Sequence, residues 1–387
     1  MALDQDTLDQ LLDTVERFVA ERLRPLEQKV AEDDRIPDEI IGEMRELGLF
    51  GLSIPEEYGG LGLAMSEEVQ VAFRLGGTSP AFRSLIGTNN GIGSQGIVID
   101  GTPEQKAFYL PRLASGEIVG SFCLTEPDVG SDAGALKTSA RREGNDAYLI
   151  NGTKRYITNA PQAGVFTVFA RTDPASKDSR GVSAFIVDAH SPGIHLGPPD
   201  KKMGQKGAQT CDVTFEDCRV PAENIIGGPA NENQGFKTAM KVLDRGRLHI
   251  GAVCVGVAER LIADSLRYAM ERKQFGQPIA EFQLIQAMLA DSKAEAYAGR
   301  CMIEETARRK DAGKSVATEA ACCKMYCSEM VGRVADRAVQ IHGGAGYIAD
   351  YDVERFYRDV RLFRIYEGTT QIQQLVIARN MIREARA

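Results

Sequence analysis

A glutamate followed by a glycine near the C-terminus is the residue pair of this sequence best suited to acid–base chemistry. It lies in the segment Tyr366–Gln371, which reads YEGTTQ. Gly368 allows backbone conformations that are closed to other residues, and Thr369 or Thr370 can cap the helix that the following apolar spacing predicts. A carboxylate positioned by the backbone in this way is a candidate general base. These residues alone leave a second interpretation open, in which Glu367 only complements the positive end of that helix.

Charged and polar residues on the predicted C-terminal helices are candidates for ligand contact. Asp244 and Arg247 are three residues apart and share one helix face, as a surface ion pair or as a clamp on a charged, hydroxyl-bearing ligand. Arg272 closes the longest predicted helix, where it stabilises the negative helix end or reaches phosphates. Gln340 comes shortly before Gly344, so a polar side chain lies beside bare backbone that a ligand can approach closely.

Two loops that follow predicted strands carry hydroxyl groups. Thr125–Asp132 reads TEPDVGSD, and its backbone amides with the Thr125 and Ser131 hydroxyls could line a flavin edge or a phosphate. The segment Arg155–Asn159 places Tyr156 at a strand end. Each has an alternative interpretation, since a loop of this composition is commonly a simple turn and a lone tyrosine commonly a packing residue.

Composition limits the classes of function. The chain has 387 residues, enough for two or three domains, and its 43% hydrophobic and 26% charged content is that of a globular protein. The formal net charge of -8 argues against a nucleic-acid surface and against binding to an anionic membrane. Eight cysteines form no CxxC pair and four histidines no HExxH pattern, so we expect no metal.

The sequence shows no targeting or membrane segment. The N-terminus is acidic and polar, unlike a signal or transit peptide. No apolar run reaches 18 residues, so we expect no membrane span. We therefore expect a cytoplasmic protein with reduced thiols.

The hydrophobic pattern predicts an α+β multidomain protein with three regions. Residues 1–117 have helical spacing, residues 118–231 have short β-branched runs between turn signals, and residues 232–387 return to long helical spacing. The middle region is typical of a small antiparallel sandwich or barrel. Asn151-Gly152 is a favoured hairpin turn within it.

Five motifs, in order along the chain, resemble the acyl-CoA dehydrogenase family over essentially the whole length. They are CLTEPDVGSD (Cys123–Asp132), NGTKRYITNA (Asn151–Ala160), ERKQFG (Glu271–Gly276), QIHGGAGY (Gln340–Tyr347) and YEGTTQIQ (Tyr366–Gln373). The resemblance implies an N-terminal α-helical domain, a middle antiparallel β domain and a C-terminal four-helix bundle. It also implies FAD between the last two domains and a homotetramer.

The resemblance assigns ligand contacts residue by residue. Those implied for the flavin ring are Phe122, Leu124, Thr125, Gly130, Ser131, Tyr156 and Thr158. Those implied for FAD of a neighbouring subunit are Arg272, Gln274, Phe275, Gln340 and Gly344, and Thr369 and Gln371 would hold the rest of the cofactor. Those implied for the acyl-CoA substrate are Ser131, Asp244, Arg247 and Gly368. Many family members have Trp where this chain has Tyr156.

The resemblance further implies that Glu367 is the catalytic base. It would take the α-proton of a saturated acyl-CoA while the β-hydride passes to flavin N5, giving trans-2-enoyl-CoA, and electron-transferring flavoprotein would take the electrons. A branch similar to isovaleryl-CoA dehydrogenase has its base at the position of Gly246. Glycine cannot act as a base, so this chain follows the common arrangement.

Alternatives remain for the substrate and for the reaction. Phe82-Arg83-Ser84 resembles a segment of glutaryl-CoA dehydrogenase in which the arginine holds a terminal carboxylate, so a dicarboxyl-CoA substrate is one hypothesis. The other is that Arg83 is structural or faces solvent, as isolated arginines commonly do. An oxygen-using flavoenzyme and a non-catalytic binding subunit are the remaining alternatives; Glu367 and the short chain argue against the first, and the intact flavin motifs against the second.

Overall fold

The computed structural model describes residues 3–176 and 178–386. The N-terminal part of the chain is helical, as the apolar spacing predicts. Its helices are α1 (Gln5–Phe18), α2 (Glu27–Asp33), α3 (Asp38–Glu46), α4 (Met65–Leu75), α5 (Pro80–Thr88), α6 (Gln95–Asp100) and α7 (Pro103–Ala114). α5 and α7 each begin at a proline, whose fixed φ suits the first helical position. No helix in the described part of the chain is long and apolar enough to cross a membrane.

The middle part of the chain is a β region, as predicted. Its strands are β1 (Gly120–Cys123), β2 (Ser139–Glu143), β3 (Ala147–Thr158), β4 (Val165–Arg171), β5 (Val182–Asp188), β6 (Ile194–Leu196) and β7 (Thr210–Pro221). They hydrogen-bond in the order β1-β4-β2-β3-β7-β6, and β5 pairs with β4. Long β3 pairs antiparallel with both β2 and β7 and forms the centre of the sheet.

The strand pairing differs from the expected antiparallel pattern at one edge. β1 runs parallel to β4, with Gly120 opposite Val165 and Cys123 opposite Val168. A single bridge between Ser139 and Arg171 is also parallel. β1 and β4 can run parallel because the β2–β3 hairpin lies between them in sequence and supplies the long connection that parallel neighbours require.

The hairpin turn predicted at Asn151-Gly152 is wrong. β2 pairs with β3 from Glu143 opposite Ala147, so the turn comprises residues 144–146, and Asn151 and Gly152 lie inside β3. Gly152 has φ +144° at a register shift between β3 and β7, and a Cβ there would come within 2.6 Å of the Thr138 hydroxyl oxygen. The glycine therefore serves a bulge and a close approach.

The C-terminal part of the chain is a helical bundle. Its helices are α8 (Gly235–Glu271), α9 (Gln283–Asp311), α10 (Ala317–His342), α11 (Asp352–Val360) and α12 (Thr370–Glu384), and a short hairpin of β8 (Lys273–Gln274) and β9 (Gln277–Pro278) follows α8. The long helices bury an apolar core that includes Leu248, Val253, Val331 and Phe363. α4 adds Val69 and Phe73 to the same core, so the N-terminal helices pack on the bundle.

A buried charged cluster ties the N-terminal helices to the bundle. Glu27 of α2 accepts a hydrogen bond from Arg355 of α11 at 2.5 Å. The same carboxylate accepts from the Thr78 hydroxyl at 2.7 Å and from the Ser79 amide at 2.9 Å. Arg260 of α8 lies 3.6 Å from Glu27. Every oxygen of this carboxylate thus has a partner, which is how a buried charge is tolerated.

Candidate active site

The loop that carries Glu367 has a strained backbone. Glu367 has φ +51° and Gly368 has φ +89°, so two consecutive residues are left-handed. This conformation is common for glycine and rare for a glutamate, and such strain is frequent at functional sites. α12 begins directly afterwards, and the Thr369 hydroxyl caps it by accepting from the Ile372 amide at 3.2 Å. Of the two threonines proposed as caps, Thr369 is the one that serves.

The Glu367 carboxyl group packs against the backbone of α8. A Cβ added to Gly246 would overlap Glu367 Oε2, so the glycine makes room for the carboxyl group. Oε2 is buried and has no hydrogen-bond partner within the described residues. Burial raises the pKa of Glu367, and the cations of Arg83, Lys324 and Arg247 oppose that rise. The sequence positions Glu367 and the α8 glycine 121 residues apart, and the fold brings them into contact.

A cavity of about 710 Å³ opens beside Glu367 between the β region and the helices. Most of the residues that the sequence singled out for flavin and substrate line this cavity. They are Phe122, Leu124, Thr125, Gly130, Ser131, Tyr156, Thr158, Arg247, Glu367 and Gly368. Its volume is in the range of ligand sites. Four separate segments of the chain therefore converge on one site.

A buried ion pair holds the Thr125–Asp132 loop against β3. Lys154 and Glu126 lie 2.9 Å apart, with their side chains 0% and 5% exposed. The Glu126 carboxylate also accepts from the Lys137 amide at 2.6 Å and the Thr138 amide at 2.8 Å. Burial alone would raise the pKa of Glu126, but Lys154 and these hydrogen bonds lower it on balance. The loop is thus fixed in shape before any ligand binds.

Tyr156 projects from the strand end into the open part of the site. It has φ +59° and is 61% exposed, and the Arg155 guanidinium lies over its ring at 5.3 Å from the centroid. An exposed aromatic ring on a left-handed residue is not a packing residue, so the packing alternative for Tyr156 is wrong. Its accessible face is available to a ligand.

Arg83 of α5 lies at the cavity wall, in the protein interior. The residue is 4% exposed, so it does not face solvent. Its Nε atom has no hydrogen-bond partner, and no carboxylate of the described residues forms an ion pair with it. The Tyr366 hydroxyl, which also lines the cavity, is likewise buried without a partner among the residues described. The site therefore holds a buried cation that forms no ion pair with a described carboxylate, although its charge lowers the pKa of Glu367.

Asp244 and Arg247 form the ion pair that their spacing predicts, with 2.5 Å between Oδ1 and Nη1. Arg247 is 8% exposed and lines the cavity, whereas Asp244 is outside the lining. The surface interpretation of this pair is wrong for Arg247, because a guanidinium this buried cannot be solvated. The aspartate instead fixes the direction of the arginine.

Comparison with known proteins agrees with this arrangement. The N-terminal, middle and C-terminal domains of acyl-CoA dehydrogenase match residues 5–117, 121–218 and 233–382. The acryloyl-CoA reductase (NADH) of Anaerotignum propionicum is 43% identical over 368 residues, covering 95% of this chain and 92% of that protein. This chain belongs to the acyl-CoA dehydrogenase family. The chain is therefore an enzyme of an oxidoreductase family, and the resemblance noted in its motifs is confirmed.

Two further relatives place it within the family. The CarC subunit of the caffeyl-CoA reductase-Etf complex of Acetobacterium woodii is 41% identical over 356 residues, with 92% of this chain and 93% of that protein covered. The structure of butyryl-CoA dehydrogenase from Megasphaera elsdenii superposes with a TM-score of 0.94 at 34% identity, covering 99% of this chain and all (100%) of that one. The three-part fold predicted from the sequence is the family fold.

FAD is the cofactor of the family, and the residues of this chain fit it. A Cβ placed on Gly130 would meet no atom within 4 Å, so the loop leaves open space above its backbone. The Thr125, Ser131 and Thr158 hydroxyls line the same cavity, and hydroxyl and amide donors are what an isoalloxazine edge requires. The exposed ring of Tyr156 completes this wall.

The residues implied to reach the FAD of a neighbouring subunit lie outside the cavity, at one end of the helical bundle. Arg272, Gln274 and Phe275 follow α8, while Gln340 and Gly344 are at the end of α10. The two helix ends are adjacent, since Tyr268 stacks on His342 with ring centroids 4.2 Å apart. Phe275 is 93% exposed. Gln371 is exposed on α12 and Thr369 caps that helix, and neither is among the residues that line the cavity.

Three residues at the site were not predicted from the sequence. Lys324 and Gln373 are fully buried beneath the Glu367 loop. Gln205, buried at 2%, joins the cavity wall to α11 by accepting from the Ser84 hydroxyl at 3.3 Å and donating to the Asp359 carbonyl at 3.2 Å. One signal was available for Lys324, because it is the only charge in the apolar run AACCKMYC. Nothing local to the sequence marks the two glutamines.

Proposed function

We propose that this enzyme dehydrogenates a saturated acyl-CoA thioester to trans-2-enoyl-CoA, with Glu367 removing the α-proton. The observation that carries the proposal is the buried Oε2 of Glu367, which lies at a ligand-sized cavity and has no partner among the described residues. A carboxylate whose pKa is raised by burial accepts a proton more readily at neutral pH than an exposed one. The nearby cations of Arg83, Lys324 and Arg247 stabilise the ionised form of Glu367 before substrate binds.

The backbone around Glu367 would stabilise the charge that develops on the thioester carbonyl. Within the described residues, the amide N–H groups of Glu367 and Gly368 have no hydrogen-bond acceptor. Unpaired amide donors beside a base are suited to an enolate-like oxygen, and preorganised donors of this kind contribute most to such reactions. Asp244 would direct Arg247 toward the CoA portion of the substrate.

The β wall of the cavity would hold FAD through Phe122, Leu124, Thr125, Gly130, Ser131, Tyr156 and Thr158. FAD, when bound, supplies the acceptor for the hydride that leaves the β-carbon. The Glu126–Lys154 pair would keep the loop at that wall rigid. The fixed wall and the strained glutamate loop would then hold opposite faces of the acyl chain.

Assembly and the electron acceptor are also proposed from the chain's own surface and its relatives. Phe275, Tyr347 and Leu284 are 93%, 85% and 81% exposed, and exposed apolar side chains of this size are typical of contacts between subunits. These side chains are accounted for by a homotetramer, in which residues of one subunit reach the FAD of a neighbour. Those residues are Arg272, Gln274, Phe275, Gln340 and Gly344.

Electron-transferring flavoprotein is the proposed electron acceptor, supported by the relative named as part of an Etf complex.

Anaerobic titration of the purified holoenzyme with saturated acyl-CoAs of increasing chain length tests the reaction. We expect one or more thioesters to bleach the flavin absorbance, and Glu367→Gln to retain flavin but bleach about 10³-fold more slowly. The reverse reaction is measured with the matching enoyl-CoA and reduced enzyme, because a close relative is named as a reductase. Bleaching by Glu367→Gln at the parental rate would remove the glutamate from the mechanism.

A second candidate concerns the substrate, and Arg83 favours it. A buried guanidinium without an anion is expensive unless a ligand supplies one. The ω-carboxylate of a dicarboxyl-CoA would supply it from the far end of the acyl chain. We therefore propose, as the alternative, that the enzyme acts on a dicarboxyl-CoA such as a glutaryl-CoA-type thioester.

Matched substrate pairs separate these candidates. Butyryl-CoA against glutaryl-CoA and hexanoyl-CoA against adipyl-CoA are compared on the parent and on Arg83→Met. If Arg83 binds an ω-carboxylate, the parent prefers the diacid and the variant loses about 10- to 100-fold in kcat/KM for it, the range of a charge-assisted hydrogen bond. An equal change for both members of each pair would leave the unsubstituted acyl-CoA as substrate.

A further inference from the structure

The carbonyl groups of the Glu367–Gly368 loop are held by two buried side chains from different helices. Lys324 Nζ of α10 donates to the Gly368 carbonyl at 2.6 Å. The Gln373 amide of α12 donates to the Gly368 carbonyl and to the Glu367 carbonyl, both at 3.1 Å. Lys324 and Gln373 are each 0% exposed.

We propose that Lys324 and Gln373 form a clamp that positions the Glu367 carboxylate and leaves the neighbouring amides free for the substrate carbonyl. The clamp rests on the proposed role of Glu367 as the base. Lys324 and Gln373 are positioning residues, because they touch the loop and not the substrate. The geometry that carries this is the convergence of three donor contacts on two consecutive carbonyls.

The left-handed conformation of the loop needs such a support. A left-handed backbone is readily adopted by Gly368 at φ +89° but is unfavourable for Glu367 at φ +51°. Hydrogen bonds from Lys324 and Gln373 hold both carbonyls toward α10 and α12. A Cβ added to Gly368 would come within 2.5 Å of Gln373 Nε2, so the glutamine is packed directly on the loop.

Lys324 makes its one hydrogen bond in the described part of the chain to this loop. No described carboxylate forms an ion pair with its ammonium group, and the Gly368 carbonyl is its one hydrogen-bond acceptor there. Burial lowers the pKa of Lys324 to about 8. A buried lysine that is partnered only by a backbone carbonyl is costly for folding, which is expected of a residue that serves the site.

The charge of Lys324 also acts on Glu367. The ionisable groups that face the Glu367 carboxyl are Arg83 on α5, Arg247 on α8, Lys324 on α10 and the adjacent Tyr366. Each cation favours the ionised carboxylate. Removing Lys324 therefore raises the pKa of Glu367, so the pH at which the rate reaches half its plateau moves upward.

Lys324→Met and Gln373→Met test the clamp in the FAD-loaded enzyme. Both remove donors at nearly constant side-chain volume. We expect each to lower kcat by about 10²-fold with KM little changed, the effect of displacing a base by roughly 1 Å. Only Lys324→Met should move the acidic limb of the kcat profile to higher pH, since glutamine carries no charge. Ser328→Ala, a buried change on the same helix whose hydroxyl donates to the Met325 carbonyl, is the matched control.

A second measurement is independent of turnover. The infrared carbonyl stretch of crotonyl-CoA bound to the oxidised holoenzyme reports the donors around the thioester oxygen. We expect a lowered frequency in the parent and in Ser328→Ala, and a return toward the solution value in both clamp variants. Parental frequency and parental kcat per bound flavin in Lys324→Met would overturn the clamp. If Lys324→Met loses flavin, the same two values measured on Gln373→Met support or overturn it. The base role fails separately, through activity of Glu367→Gln.

Discussion

Two buried charged clusters in this molecule differ in how their charges are paired. In the first, Glu27 accepts from Arg355, Thr78 and Ser79, so its carboxylate is saturated by protein donors. In the second, Arg83 forms no ion pair and Glu367 Oε2 accepts no hydrogen bond within the described residues. The first cluster lies where helices pack together, and the second lies at a cavity. In these two clusters, the saturated Glu27 carboxylate holds helices together, whereas the unpaired groups at the cavity are available to a ligand.

The largest effect is expected in the saturated cluster. Arg355→Met leaves Glu27 buried with its main cation removed, and breaking one partner of a buried pair typically destabilises by about 3–5 kcal/mol. The midpoint of chemical denaturation measures this, with flavin content checked at each denaturant concentration. An unchanged midpoint would mean that Arg355 is not needed to stabilise the buried Glu27 carboxylate, and this cluster could no longer be said to stabilise the fold.

The next effect is expected beside the unsaturated carboxylate. Gly246→Ala puts a methyl group where Glu367 Oε2 lies, so the carboxyl group must move. A displacement of about 1 Å costs roughly 10²-fold in kcat, or about 2.7 kcal/mol. Stopped-flow bleaching by the best acyl-CoA measures the rate. A helix alanine is otherwise favourable, so a rate within about threefold of the parent would show that Glu367 does not depend on this contact.

Asp359 has properties of both clusters and gives a smaller, pH-dependent effect. One of its oxygens accepts from the Gln205 amide, and the other has no partner in the described part of the chain. Burial raises the pKa of Asp359 from 3.8 to about 6. The folded state therefore holds the proton more tightly, and its contribution to stability is lost as pH rises from about 4 through about 6.

Asp359→Asn removes this loss while the amide oxygen still accepts from Gln205. We expect a gain of up to about 3 kcal/mol at pH 7.5, the equivalent of two pKa units, and little gain at pH 4, where the folded-state aspartate is already protonated. Denaturation midpoints at the two pH values give the difference. A gain of equal size at both values would mean that the effect comes from packing and not from titration.

The smallest effect on stability is expected at Arg83. Because no described carboxylate forms an ion pair with Arg83, Arg83→Met should lower the free energy of unfolding by less than about 1 kcal/mol, or raise it. The contrast with Arg355→Met is the sharpest form of the comparison, since the same substitution is made at two arginines that are 4% and 3% exposed. Equal losses at both positions would contradict it.

Much of the fold could be predicted from the sequence, because helical spacing and β-branched runs are local signals. The Thr369 cap and the Asp244–Arg247 pair are local too, and both were found. The turn predicted at Asn151-Gly152 was wrong, because the same dipeptide occurs in turns and in bulges. The glycine is needed here because Thr138 packs against it, which only the fold shows. Strand direction at β1 likewise depends on long-range pairing.

The site was predictable only where motifs carried it. Three residues become informative only in the folded structure. Within the described residues, Arg83 forms no ion pair, Lys324 has a single hydrogen-bond acceptor, and Gln373 donates to the carbonyls of the glutamate loop. Such facts depend on burial and partners, which spacing does not encode. The sequence could name Arg83 as a candidate, and only the fold shows that it is buried at the cavity wall.

The contact between Gly246 and Glu367 also limits how this enzyme can change over generations. A carboxylate on residue 246 would compete for the volume that Glu367 Oε2 fills, so the two positions cannot both carry a base. A lineage that moved its base from the loop to α8 would have to lose the first glutamate before gaining the second, or pass through a form with two crowded, repelling anions. Either order crosses an impaired intermediate, which isolates the two arrangements from each other.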